Sequence, residues 1–158
     1  DRETSGVMIF AKHKRHKEYL QEQFANRSVH RIYHALIEGR PEKNNGIIHE
    51  WLLEDKFLRV KAVNKNHPNA KEAITYWSVE DSDEFASLLS LTIETGRRHQ
   101  IRVGLANLGH PVVGDKQHGA EGNPIGRIAL HASSLELLHP ETDDPVRFEA
   151  TIPFGPEN

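Results

Sequence analysis

Two segments of this sequence have the means to do chemistry: Asp1-Arg2-Glu3-Thr4-Ser5-Gly6 and Thr95-Gly96-Arg97-Arg98-His99-Gln100-Ile101-Arg102. The first places a carboxylate in a tight polar turn ahead of an apolar run. The second places a cluster of arginines at the entrance to a helical pattern. A carboxylate is a competent nucleophile when it is ionised, and in a pocket that excludes water it stays ionised only beside a cation. Arginine suits that role because its guanidinium remains charged at any working pH and can pair with a carboxylate through two N–H groups. Taken singly, both residues have ordinary explanations. Asp1 is one of 23 acidic side chains, and Arg102 fits a charge on a helix surface.

The elements that must position these groups can be read from periodicity. Residues 7–11, Val-Met-Ile-Phe-Ala, form a short apolar run after a glycine and predict a buried strand. Residues 13–26 carry Tyr19, Leu20 and Phe24 at helical spacing with no proline or glycine, which predicts an amphipathic helix. Residues 29–39 alternate, with Val29, Arg31, Tyr33, Ala35 and Ile37 on one face of a strand. Four more strands are expected at 47–53, 57–63, 70–79 and 85–94, and two closing strands at 128–138 and 146–152. Residues 100–108 read as a second helix with Ile101, Leu105 and Leu108 on one side, ended by Gly109-His110-Pro111. The glycine-rich stretch 114–127 reads as a long irregular loop of the kind that is functional or mobile. Many strands, two helices and no regular strand–helix alternation predict an α+β fold with a mixed, mostly antiparallel sheet and flanking helices.

Composition bounds the possibilities. At 158 residues the chain fits one domain, and 37% hydrophobic with 27% charged residues is globular usage. No stretch approaches the ~20 apolar residues of a membrane helix, so no membrane association is expected. With no cysteine, thiolate metal sites and catalytic thiols are excluded, and a cytoplasmic location fits. The net charge of −3 hides segregated clusters: Lys12, Lys14, Arg15 and Lys17, then Arg27 and Arg31, then Arg97, Arg98 and Arg102. The first cluster equally fits a solvated helix face.

The opening segment resembles the HRLDxxTSG motif of the RluA-type RNA pseudouridine synthases, beginning at its aspartate. The resemblance continues in the family's order through Arg31-Ile32-Tyr33-His34-Ala35 and the Thr95 to Arg102 segment. It then takes in Gly109-His110-Pro111-Val112-Val113-Gly114-Asp115, Leu130-His131-Ala132 and His139-Pro140. It implies the synthase fold and the isomerisation of uridine to pseudouridine in ribosomal or transfer RNA. Asp1 would be the nucleophile, Tyr33 the active-site tyrosine and Arg102 the arginine paired with the aspartate. Leu130 would line the uracil pocket, with Arg97, Arg98, His99 and Gln100 also on the substrate. Neither cofactor nor metal is implied. RNA is the expected partner and the enzyme is expected to be a monomer. Tyr33 and Leu130 alone would read as a half-buried strand aromatic and a core side chain. Lys12, Lys14, Arg15, Lys17, Arg97 and Arg98 are the candidate phosphate contacts.

The sequence departs from the family where Gly104 follows Val103 and where His118 stands before Gly119 in place of a tyrosine. Neither position is among the expected catalytic groups, so altered RNA contacts are expected there. The expectation is therefore a partial catalytic domain, 1–158, starting at the catalytic aspartate, with upstream strands of the synthase fold missing. Two other classes compete. One is an RNA-binding module without chemistry. The other is a metal-dependent hydrolase, prompted by 11 histidines but lacking any His-Glu-x-x-His pair.

Overall fold

The computed structural model describes residues 1–156. Among the described residues there are eight strands: β1 (Ser5–Gly6), β2 (His30–Glu38), β3 (Asn45–Glu54), β4 (Val60–Ala62), β5 (Lys71–Ser82), β6 (Ala86–Ile93), β7 (Leu130–Leu138) and β8 (Pro145–Glu149). They form one sheet in the order β1-β7-β2-β6-β5-β3-β4, with β8 also paired to β7. Every pairing is antiparallel except β1 with β7, which is parallel. Helices α1 (Lys14–Ala25) and α2 (Gln100–Asn107) complete the mixed α+β architecture expected from the sequence.

The main core lies between the sheet and α2. Tyr33 sits beside Leu91 on one side and Ala132 on the other, and Leu91 sits beside Trp77. Neighbours across strands share a face, so Tyr33 and these side chains face the same way. Leu89, Leu91 and Trp77 pack with Ile101 and Leu105 of α2 and with Leu130. β2 is buried on both faces from His34 to Ile37, a consequence of its central position between β7 and β6. On α1, Leu20 joins Val29, Leu135 and Leu137 in a second cluster. The Gln23 amide fixes this helix to the sheet, donating to the Leu138 carbonyl (2.9 Å) and accepting from the Leu138 N–H (2.7 Å).

Four sequence expectations are corrected. Residues 7–11 are not a strand: β1 is only Ser5–Gly6, Met8 and Phe10 are 69% and 80% exposed, and only Val7 and Ile9 pack inward. The run is apolar on both sides, but the structure covers one. The strand expected at 57–63 shrinks to β4 because the Asp55 carboxylate captures the N–H groups of Phe57 (2.8 Å) and Arg59 (3.0 Å), closing a turn with Leu58 at φ 61°. The closing strand at 146–152 is Pro145–Glu149, with residues 150–156 outside any strand. Finally, α2 is buried continuously from Gln100 to Leu105 while Leu108 is 40% exposed. Its lining is therefore broader than the stripe that periodicity suggests.

Candidate active site

Asp1 is held at the lip of a cleft by local geometry. The Thr4 N–H closes a turn onto the Asp1 carbonyl (3.2 Å), and β1 then docks on β7 with Ser5 beside His131 and Gly6 beside Ala132. Gly6 has no alternative here: its φ is +105°, and a Cβ would lie 2.1 Å from the Ala132 carbonyl oxygen. A polar chain beneath fixes the docking. His131 Nε2 faces the Ala150 carbonyl at 3.1 Å, which accepts only, so that nitrogen carries the proton and Nδ1 is the acceptor. The Ser5 hydroxyl therefore donates to His131 Nδ1 (2.7 Å) and accepts from Arg127 Nη2 (2.6 Å).

The other wall comes from α2. Its first turn is anchored by Gln100, whose side-chain oxygen accepts from the Thr95 hydroxyl (2.7 Å) and the Arg97 N–H (3.1 Å). Its amide donates to the Ile74 carbonyl (3.0 Å) and the Thr75 hydroxyl (2.9 Å). With both ends committed to the scaffold and 4% exposure, Gln100 shapes the helix start. His99 precedes it in the left-handed region, φ 53°, a conformation costing a non-glycine residue about 1–2 kcal/mol. The tight turn aims the His99 ring back at Asp1, with Nε2 3.8 Å from Asp1 Oδ1.

Arg102 lies behind the cleft, 2% exposed, and its fork is taken by a residue to which the sequence reading gave no role. Nε and Nη2 donate to the two oxygens of Asp115, at 2.7 and 2.9 Å, and Asp115 is fully buried. The third nitrogen, Nη1, has no hydrogen-bond partner and looks toward Asp1 Oδ2 at 3.6 Å and Glu3 Oε2 at 3.9 Å. The expected Asp1–Arg102 pairing is thus present as a single-point approach; the two-point pairing belongs to Asp115. The consequence is electrostatic. Asp115 neutralises and orients the buried guanidinium, and Asp1 receives a charge without having both oxygens tied up.

Asp1, Tyr33, Arg97, Arg98, His99, Gln100 and Leu130 all line one cleft of about 1020 Å³. Tyr33 and Leu130 present an aromatic ring and an apolar wall, while Arg97 and Arg98 are exposed at its margin. Of the other charge candidates, Lys14 pairs with Glu18 and Arg15 with Glu141, and none of Lys12, Lys14, Arg15 or Lys17 lines the cleft. Sequence reasoning left Arg31 and Gln117 in the cleft unassigned; His118, where an altered RNA contact was expected, does not line the cleft and instead meets His99 Nδ1 at 3.0 Å. Burial, reinforced by the charges of Arg102, His118 and Arg98, pulls the His99 imidazole down to about 4. Burial also lowers His118, with Asp115 opposing and Arg102 assisting. Both rings are therefore neutral near pH 7. Among the described residues no group of three or more His, Asp or Glu side chains is placed to hold a metal ion.

Comparison with known proteins identifies the family. A family model for RNA pseudouridylate synthase matches residues 1–107. The chain belongs to the RNA pseudouridine synthases, and to their RluA type. An RNA pseudouridine synthase of Bacillus subtilis (strain 168), YhcT, is 36% identical over 160 residues, covering 100% of this chain and 52% of the relative. Ribosomal large subunit pseudouridine synthase C of Buchnera aphidicola is 32% identical over 160 residues, covering 96% and 51%. Among solved structures, human RNA Pseudouridylate Synthase Domain Containing 1 superposes with a TM-score of 0.84 at 27% identity, covering 98% of this chain and 67% of that one. The chain thus spans about half the length of the first curated relatives it matches, 52% and 53%.

Proposed function

We propose that this chain is the catalytic part of an enzyme that isomerises uridine to pseudouridine in ribosomal or transfer RNA, with Asp1 as the nucleophile. The observation that carries this reading is the approach of the Asp1 carboxylate, 13% exposed, to the buried and unpartnered Nη1 of Arg102 within a cleft walled by Tyr33 and Leu130. The reaction breaks the C1′–N1 bond and joins C1′ to C5. The C5 hydrogen leaves as a proton, N1 gains one, and there is no net oxidation. A carboxylate nucleophile suffices for this chemistry, so the reading calls for neither metal nor cofactor.

Each residue then has a role. Arg102 keeps Asp1 ionised in a site that the substrate dries on binding. Tyr33 stacks on a uracil extruded from the RNA and stands near its C5 proton, and Leu130 closes the apolar side of the base. Arg97 and Arg98 bind phosphates at the rim. RNA loops, where a base can be unstacked at modest cost, are the preferred substrates. The lack of cysteine fits a reducing compartment, and we place the enzyme in the cytoplasm as a monomer.

The test is pseudouridine formation on unmodified transfer and ribosomal RNA by the intact protein, beside Asp1→Asn. Product from the first and none from the second is the expected result. RNA binding by both with product from neither would refute the enzyme reading for those RNAs and leave a binding module.

A further inference from the structure

His118 stands where the sequence departs from its family, and its contact is with the ring that faces the proposed nucleophile. His118 Nε2 and His99 Nδ1 are 3.0 Å apart with the rings nearly perpendicular, 89°, and His99 is 8% exposed. Between two neutral imidazoles the shared position holds one proton, so one ring donates and the other accepts. The contact by itself permits either direction.

The surroundings decide it. If His99 Nδ1 carried the proton, His99 Nε2 would present a lone pair to Asp1 Oδ1 at 3.8 Å, an acceptor against an anion. If His118 Nε2 carries it, His99 Nε2 carries the other proton and points an N–H at the carboxylate. Protonating either ring would set a further cation beside Arg102, whose charge, with burial, disfavours the cationic form of both. The remaining charge nearby, Asp115, is committed to Arg102 through both oxygens.

We infer that His118 is a positioning residue: its Nε2–H donates to His99 Nδ1, fixing the tautomer in which His99 Nε2–H is directed at Asp1 Oδ1. Asp1 is then addressed on both oxygens by N–H groups from α2 and the residue just before it, Oδ2 by Arg102 Nη1 and Oδ1 by His99 Nε2. Neither approach is a closed hydrogen bond, so the carboxylate is oriented by two donors while its lone pairs stay available. The relay deepens the functional reading above, since it matters for turnover only if Asp1 reacts.

Two measurements on the intact protein test it. The first needs no substrate: long-range 1H–15N correlation spectra of the imidazole rings at pH 7 report which nitrogen of His99 bears the proton. The Nε2–H form is expected in the wild type and in His118→Gln, whose amide can still donate, and a shift toward the Nδ1–H form is expected in His118→Phe. The second is turnover. His118→Phe is expected to lower kcat on the order of ten- to a hundred-fold with KM little changed, as for a misdirected catalytic group, and His118→Gln to recover most of it. A wild-type His99 in the Nδ1–H form would overturn the inference, as would equal kcat losses in the Phe and Gln variants, which would mark a packing role. If the wild type forms no pseudouridine yet shows His99 Nε2–H, the enzyme reading falls and the direction of the relay stands.

Discussion

Replacing Asp115 with asparagine removes the charge that neutralises Arg102 while preserving the side chain's shape. Asp115 is 0% exposed and Arg102 2%, so water cannot take over the solvation of the guanidinium. Of the two N–H groups now donating at 2.7 and 2.9 Å, one would keep the asparagine oxygen and the other would meet its NH2. Breaking one side of a buried pair costs about 3–5 kcal/mol, since a buried charge is left uncompensated. For a chain of this size each kcal/mol shifts Tm by roughly 2–4 °C, so Tm should fall by about 6–20 °C. The assay is thermal and urea unfolding followed by circular dichroism, with m compared between variants to confirm that the unfolded reference has not changed. Replacing both partners with apolar residues, Arg102→Met with Asp115→Leu, should recover much of the stability, since neither charge then needs a partner. Activity should be lost in both variants: in the single one because the freed guanidinium turns onto Asp1 and ties up its oxygens, in the double because Asp1 has no cation. An Asp115→Asn protein melting within about 2 °C of wild type would refute the claim that this pair holds the site.

Three further outcomes are expected. Gly6→Ala should destabilise by more than the ~1–3 kcal/mol of backbone strain at φ +105°, because the added carbon would sit 2.1 Å from the Ala132 oxygen; urea unfolding measures this, and product formation should fall with the loss of β1 docking. Arg98→Ala should weaken RNA binding across sequences and reduce the slope of log affinity against log salt by about one, measured by filter binding from low to moderate salt. Stability should fall on acidification between about pH 6.5 and 4. His99 is depressed to about 4 in the fold, so in that window the unfolded chain binds more protons than the native one and ∂ΔG/∂pH is positive. The His99 contribution is complete above 6.5 and is lost as pH falls toward 4; His99→Gln should flatten that part of the stability–pH curve in equilibrium unfolding.

The parts of this protein legible in its sequence are those set by neighbours along the chain. The helix from Gln100 is announced by the residues that build its first turn, and its end by Gly109 and Pro111, and both are where they were expected. The order of β2 to β7 follows from apolar runs broken by polar turns. Tyr33, Leu130 and the Thr95 to Arg102 segment could be nominated for the site because the family pattern marks each, and the fold brings Tyr33, Leu130 and residues 96–101 to one cleft with Asp1, with Arg102 behind it.

The groups that were not legible owe their position to partners far along the chain or across a turn. Nothing adjacent to Asp115 says that it meets Arg102; an acidic residue directly after Val112-Val113-Gly114 was the available signal, since a carboxylate carried into a core by such a run must find a cation there. The run at residues 7–11 looked like the strand because apolarity is local, whereas pairing is decided by where Gly6 can approach Ala132 closely enough to dock. The same reasoning explains why an arginine that the sequence would assign to a helix surface is the largest fully buried side chain described. The buried guanidinium is held from behind by both oxygens of one carboxylate, its closest partner. That arrangement leaves its third nitrogen facing the cleft, and the reactivity proposed for Asp1 depends on that nitrogen remaining unclaimed by any closer partner.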